Sequence, residues 1–141
     1  MAKYEATVEV GAPPDTAFDY LSDLSTLPDW DPSIRSAKQV SDTATGVGAK
    51  YEVEIGFYGR AIETTYETVE AERPERIVVM VEGKITGRLE LEIAPSGDGS
   101  IIEYRASASM KGLARLLDKG LKLAFEGIGE NAAAGLRKQL A

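Results

Sequence analysis

The spacing of apolar residues changes period twice along the chain. Residues 3–10, KYEATVEV, alternate: Tyr4, Ala6, Val8 and Val10 point one way and Glu5, Thr7 and Glu9 the other, which predicts a half-buried strand ended by Gly11. Ala17, Phe18, Leu21 and Leu24 then follow helical spacing behind Pro13 and Pro14, residues tolerated in a first helical turn, so a short helix is expected from Pro13 to about Asp23. The stretch LSTLPDWDP, residues 24–32, has room for one more helical turn, anchored by Leu27 and Trp30. Trp30, the only tryptophan, either plugs one end of the core or forms a pocket wall or lid.

After Pro32 the period is two for about 75 residues. Strands are expected over Ile34–Val40, through Tyr51, Val53, Ile55 and Phe57, through Ile62, Thr64, Tyr66 and Thr68, over Ile77–Val81, through Leu89, Leu91 and Ile93, and through Ile102, Tyr104, Ala106 and Ala108. Asp42–Gly48, Gly56–Gly59, Arg73-Pro74, Gly83 and Pro95–Gly99 separate them. Short turns between successive strands make an antiparallel meander.

From Lys111 to Ala141 the period returns to 3.6. Leu113, Leu117, Leu121, Ala124, Ile128 and Ala132 share one face, with Leu116, Leu123 and Ala134 widening it to one side together with Gly120 and Gly127. Lys111, Arg115, Lys119, Lys122, Glu126 and Glu130 lie opposite. A helix over about 112–140 is about 43 Å long at ~1.5 Å per residue and needs a surface to lie on. A curved sheet, apolar on one face and acidic on the other, supplies it. The expected class is therefore α+β: a seven-stranded antiparallel sheet in the order β-α-α-β6-α, wrapped around the long C-terminal helix as a single domain over residues 1–141. Each interior glycine of that helix costs about 1 kcal/mol relative to alanine. Gly120 and Gly127 therefore either admit a neighbouring element closely or leave volume for a ligand. In the second case a leucine introduced there projects into the cavity.

Composition narrows the chemistry. The 141 residues contain neither cysteine nor histidine. Disulfides, thiol chemistry, Ser-His and Cys-His nucleophile pairs and most zinc sites are thereby excluded, and neither a transition metal nor a cofactor is expected. The formal net charge is −7, unevenly spread. Residues 1–110 carry ten basic and twenty acidic side chains, whereas residues 111–141 carry six and three. An acidic body argues against sequence-independent DNA binding. The basic strip of Lys111, Arg115, Lys119 and Lys122 is either a solvated face or a docking strip for an acidic partner, an anionic headgroup or RNA. No apolar run reaches bilayer length and the N-terminus shows no signal-peptide core, so a cytoplasmic protein is expected.

The order of elements, with APPDTAFDYL, LPDWDP, the Gly46–Gly48 turn, AERPERI and the amphipathic last helix, resembles the START-like SRPBCC superfamily, and within it the polyketide cyclase/dehydrase and lipid-transport branch. The resemblance covers nearly the whole chain. It implies a helix-grip fold with a deep cavity between sheet and C-terminal helix, and no single catalytic motif. Aromatic polyketide cyclases of this fold use a pocket arginine and tyrosine. On that resemblance Arg60 and Tyr66 are candidates.

Alternation gives the inward set independently of the resemblance: Tyr4, Val8, Tyr51, Val53, Ile55, Phe57, Ile62, Thr64, Tyr66, Leu89, Leu91, Ile102 and Tyr104, with Arg60 in the same parity near a turn. The set contains no carboxylate, so paired acids for general acid/base work are not expected inside the sheet. Apolar walls with a few hydroxyls suit a lipophilic ligand with one or two polar atoms. The expected ligand-binding residues are Trp30, Tyr51, Val53, Ile55, Phe57, Arg60, Ile62, Thr64, Tyr66, Leu89, Leu91 and Tyr104 from the body of the chain, and Leu116, Gly120, Leu123 and Gly127 from the last helix. The function expected first is binding or transport of a small hydrophobic molecule of lipid, polyketide, quinone or aromatic type. A metal-free cyclase/dehydratase and a toxin-type protein acting through its surface are the alternatives.

Overall fold

The structure is a computed structural model that describes residues 2–43, 45–57, 59–110 and 118–141, with side chains described for all of these except 57, 110 and 118–125. The elements are β1 (Ala2–Val10), α1 (Pro14–Ser22), a 3-10 turn (Leu24–Thr26), α2 (Leu27–Trp30), β2 (Ile34–Gln39), β3 (Lys50–Phe57), β4 (Arg60–Glu72), β5 (Arg76–Gly83), β6 (Ile85–Ser96), β7 (Gly99–Met110) and α3 (Asp118–Gln139). All seven strands form one antiparallel sheet in the order β1-β7-β6-β5-β4-β3-β2. The meander β2 to β7 folds back so that β7 takes β1 as its outer neighbour. This is the expected β-α-α-β6-α helix-grip arrangement.

The alternation in sequence is the alternation in space. Val8, Tyr51, Val53, Ile55, Tyr66, Leu89, Leu91, Ile102 and Tyr104 are buried on the inner face. Along β3 and β4 the glutamates Glu52 and Glu63 are exposed on the other. On the outer face Arg76 and Arg105 share the Glu92 carboxylate, at 2.7 and 2.9 Å. The strands run longer than the apolar pattern alone predicts, and β6 continues through Pro95, which pairs with Ser100. Two residues earlier, the Ile93 amide donates outward to Glu75 O at 2.8 Å. By the period of two, the nitrogen of Pro95 faces the same side, beyond the last pair of β5 with β6, where no ladder bond is lost.

In α3, Ala132, Ala133, Leu136 and Leu140 are buried, Gly129 is buried with them, and Ile128 and Gly135 are half-buried. The helix lies against β1 and α2. Its end is tied down by the Ala12 amide, which donates to Leu140 O at 2.8 Å, and by Gln139 Nε2, which donates to Asp29 O at 3.1 Å. Glu126 and Glu130 are exposed as expected, but so is Ala134, which the sequence pattern placed on the apolar face. Over residues 126–140 the buried face sits about a quarter turn round from the expected one, towards Gly129 and Leu136. The reason is the size of the contact residues: here the helix touches its neighbours through glycine and alanine, which a wheel weighted by leucines does not favour. The expected helix start near residue 112 and the expected contacts of Leu113, Leu117, Leu121 and Ala124 lie outside the described residues and side chains.

Candidate functional site

The site begins with local chain geometry in α2. Leu27-Pro28-Asp29-Trp30 makes a single turn, closed by the Asp31 amide donating to Leu27 O at 2.9 Å. Pro32 disfavours helix at the residue before it, and Asp31 is extended, with φ −115° and ψ 102°. The chain then reverses tightly: Asp31 Oδ1 accepts from the Ser33 amide at 3.0 Å and from Ser33 Oγ at 2.6 Å, and the Ile34 amide donates to Asp31 O at 3.0 Å. An Asp side chain bonding its own backbone two residues on is the usual device for such a turn. Its consequence here is that Trp30 and Asp31 both end up inside, 1% and 6% exposed.

Around them lies a hollow between the sheet, α2 and α3. Leu27 and Trp30 come from α2, Ile34 from β2, Ile55 from β3, Tyr66 from β4 and Val81 from β5. Ile85, Gly87 and Leu89 of β6, Tyr104, Ala106 and Ala108 of β7 and Ile128 of α3 complete the apolar walls, with Asp31, Ser33, Arg88 and Ser107 as polar members. The hollow comprises about 720 Å³ of empty space, part of it continuous with solvent, of which the centre of a water molecule can reach about 80 Å³. That is room for several waters or a slender organic molecule. Trp30 meets Tyr104 edge to face, with ring centroids 6.2 Å apart and planes at 90°, and Tyr4 backs Tyr104 at 6.0 Å.

Electrostatics centre on Asp31. Burial raises its carboxyl pKa above the ordinary value, and the Ser33 hydroxyl and amide offset this only in part. Burial also raises Tyr66 and Tyr104, and the Asp31 charge raises both further. Both phenols therefore stay protonated and available as donors.

Of the residues expected from sequence, Trp30, Ile55, Tyr66, Leu89 and Tyr104 converge on the hollow. Tyr51, Val53, Thr64 and Leu91 are buried but belong to the packed core, where Thr64 Oγ1 donates to Val53 O at 3.0 Å. Ile62 is half-buried against that core. Arg60 is corrected: it shares the parity of the inner face but stands exposed at the tip of the β3–β4 hairpin, beyond the apolar layer, where a guanidinium keeps its water. Gly127 is also corrected. It is exposed, and a Cβ built on it meets nothing within 4 Å, so it opens to solvent rather than to the hollow. The glycines that make a close approach are Gly129, whose Cβ would run into the Tyr4 ring, and Gly135, whose Cβ would run into the Trp30 carbonyl. Phe57, Leu116, Gly120 and Leu123, and the basic strip Lys111, Arg115, Lys119 and Lys122, lie outside the described residues or side chains.

The inward strand set has no carboxylate, but the hollow gains one, Asp31, from outside the strands. Parity arguments reach only strand residues, and Asp31 enters from a loop; the signal was the D-P-S turn following Trp30. Val81, Ile85, Gly87, Ala106 and Ala108 extend parities already visible along their strands. Among the described residues, no group of three or more Asp or Glu side chains could hold a metal ion. No helix among them is long and apolar enough to cross a membrane.

A curved seven-stranded sheet gripping a C-terminal helix, with a hollow between them, defines a helix-grip protein of the START-like class. Within it, the chain belongs to the polyketide cyclase/dehydrase and lipid transport family, whose sequence model matches residues 1–141. Similar folds occur in TTHA0849 from Thermus thermophilus (17% identity, 98% of this chain and 96% of that one, TM-score 0.83) and in a START superfamily protein from Mycobacterium smegmatis (17%, 99% and 97%, 0.78). The Zhui aromatase/cyclase from Streptomyces sp. R1128 is similar as well (13%, 94% and 87%, TM-score 0.73). At these identities the likeness is one of fold. Among curated proteins none matches the chain in sequence.

Proposed function

We propose that the protein binds a small apolar molecule in the hollow between the sheet, α2 and α3. The observation that carries this reading is the composition of the walls: ten aliphatic or small residues and three aromatic rings surround a space whose polar members are Asp31, Ser33, Arg88, Ser107 and the two tyrosines. Pockets of that make-up bury ligands through apolar area and orient them through a few polar atoms. Family membership points the same way.

Titration with an apolar fluorescent probe such as N-phenyl-1-naphthylamine tests the reading. Saturable binding is expected, and Ala106→Leu, which extends a side chain from a half-buried wall position, is expected to weaken it several-fold while the circular-dichroism spectrum is unchanged. Absence of saturable binding, or binding indifferent to Ala106→Leu in a folded variant, overturns it.

The alternative of a cyclase-like enzyme draws support from one feature, the Asp31 carboxyl beside two protonated phenols. A carboxylate raised by burial is a competent general base. Turnover of a carbonyl-bearing substrate that Asp31→Asn abolishes would favour catalysis. Binding without turnover favours a carrier or sensor.

A further inference from the structure

Asp31 is more than its turn requires. The turn uses Oδ1, which takes both bonds from Ser33. Among the described residues Oδ2 accepts no hydrogen bond and no cation lies within salt-bridge reach of the carboxylate, whereas Arg73, Arg76, Arg88 and Arg105 all pair elsewhere. A carboxylate that is 6% exposed and meets no counter-charge among the described residues is costly to keep. An asparagine would make the same turn without that cost. What the carboxylate adds is a strong acceptor on the wall of an otherwise apolar hollow, and a charged acceptor binds a hydroxyl donor about twice as strongly as a neutral one.

Resting on the reading of the hollow as a ligand pocket, we propose that Asp31 is its polar anchor and that the pocket selects apolar molecules carrying a hydrogen-bond-donating hydroxyl, of the phenol or enol kind, over the same skeleton without one. The groups facing the anchor suit this. Tyr66 from β4 and Tyr104 from β7 present phenol hydroxyls to the same space, with Tyr4 of β1 behind Tyr104. Arg88 of β6 reaches the rim but is engaged with Glu90 at 2.6 Å, and the described inward positions of α3, Ile128 and Ala132, are uncharged. Ser33 contributes the only other polar side chain from the loop. The incoming hydroxyl donates to Asp31 and accepts from a tyrosine, so both of its hydrogen-bonding roles are met. Burial raises the Asp31 pKa, which places the loss of the anchor's charge above the ordinary carboxylate range as pH falls.

The test compares 2-naphthol with 2-methoxynaphthalene, which share a skeleton and differ in the donor. The wild-type protein is expected to bind the naphthol about tenfold more tightly or better at neutral pH. In Asp31→Asn that preference should fall at least about fivefold while 2-methoxynaphthalene binds as before, because the amide keeps the turn but not the charge. A measurement without any variant covers the case that Asp31→Asn does not fold: on the wild type, the preference should shrink as pH is lowered from about 8 to about 4, across the range of a raised carboxylate. Equal binding of both compounds, or a preference indifferent to both Asp31→Asn and pH, overturns the anchor and leaves the pocket standing. Binding of neither compound overturns the pocket reading and the anchor together.

Discussion

Two regions of the grip meet the same helix in opposite ways. At the C-terminal end of α3, helix and body are in backbone contact: Gly129 lies against the Tyr4 ring and Gly135 against the Trp30 carbonyl, with Ala132, Ala133 and Leu136 wholly buried between them. One residue before Gly129, at Ile128, the helix borders the hollow that Trp30, Tyr66, Leu89 and Tyr104 also line. Gly129 and Gly135 therefore mark where the helix is closest to β1 and α2, whereas Gly127 and Ala134 face solvent.

The largest effect is expected at the closed end. Leu136 is 0% exposed, and Leu136→Ala should cost about 4 kcal/mol, in the upper part of the ~2–5 kcal/mol range for such truncations, because close-packed neighbours on every side cannot collapse into the gap. Urea unfolding measures it; a loss under about 1 kcal/mol would mean the closed end is not tightly packed. Gly135→Ala comes next. Its Cβ would run into the backbone of α2, which cannot rotate away as a side chain could, and a net loss of about 2–3 kcal/mol is expected despite the gain in helix propensity. A stabilised Gly135→Ala would remove the case for backbone contact there. At the hollow end, Leu89→Ala should cost only about 2 kcal/mol, since its side chain already borders a void and loses fewer contacts. If Leu89→Ala proved as costly as Leu136→Ala in the same unfolding series, the distinction between the two ends would collapse.

The same contrast explains what could be read from the sequence. Strand alternation is a local property with one answer: once Tyr51, Val53 and Ile55 point one way, a slip by one residue would bury Glu52 and Glu54. The sheet, its six-strand meander and most of its inner face were therefore legible, and so were five of the residues that line the hollow; the pairing of β1 with β7 is long-range and was not. The helix is less constrained. A wheel assigns a face by apolar bulk, and in the second half of α3 the contact is made by glycine and alanine, so the pattern pointed to Gly127 and Ala134 where packing uses Gly129 and Ala133. Asp31 was illegible for another reason. Its burial is decided by a turn in a segment with no period, and an acidic residue flanked by prolines in a loop ordinarily faces water. Arg60 erred in the opposite direction: parity continues to the hairpin tip, but the apolar layer does not.

The smallest effect, opposite in sign, tests the helix orientation itself. Gly127 sits within α3, is exposed, and has open space where a Cβ would be. An interior helical glycine costs conformational entropy that alanine does not, and with no neighbour to strike, Gly127→Ala should raise stability by up to about 1 kcal/mol. Because the position opens to solvent, Gly127→Leu should also leave uptake of an apolar probe unchanged. A cavity beneath Gly127 would give the reverse for leucine, an intact fold with reduced uptake, and close packing there would give lost stability with either residue. Thermal midpoint and probe binding on the two variants separate these outcomes. Gly129→Ala serves as the internal control: its Cβ meets the Tyr4 ring, so it should lose stability where Gly127→Ala gains it. Only a helix rotated so that Gly129 faces the body and Gly127 faces water gives opposite signs at two glycines two residues apart.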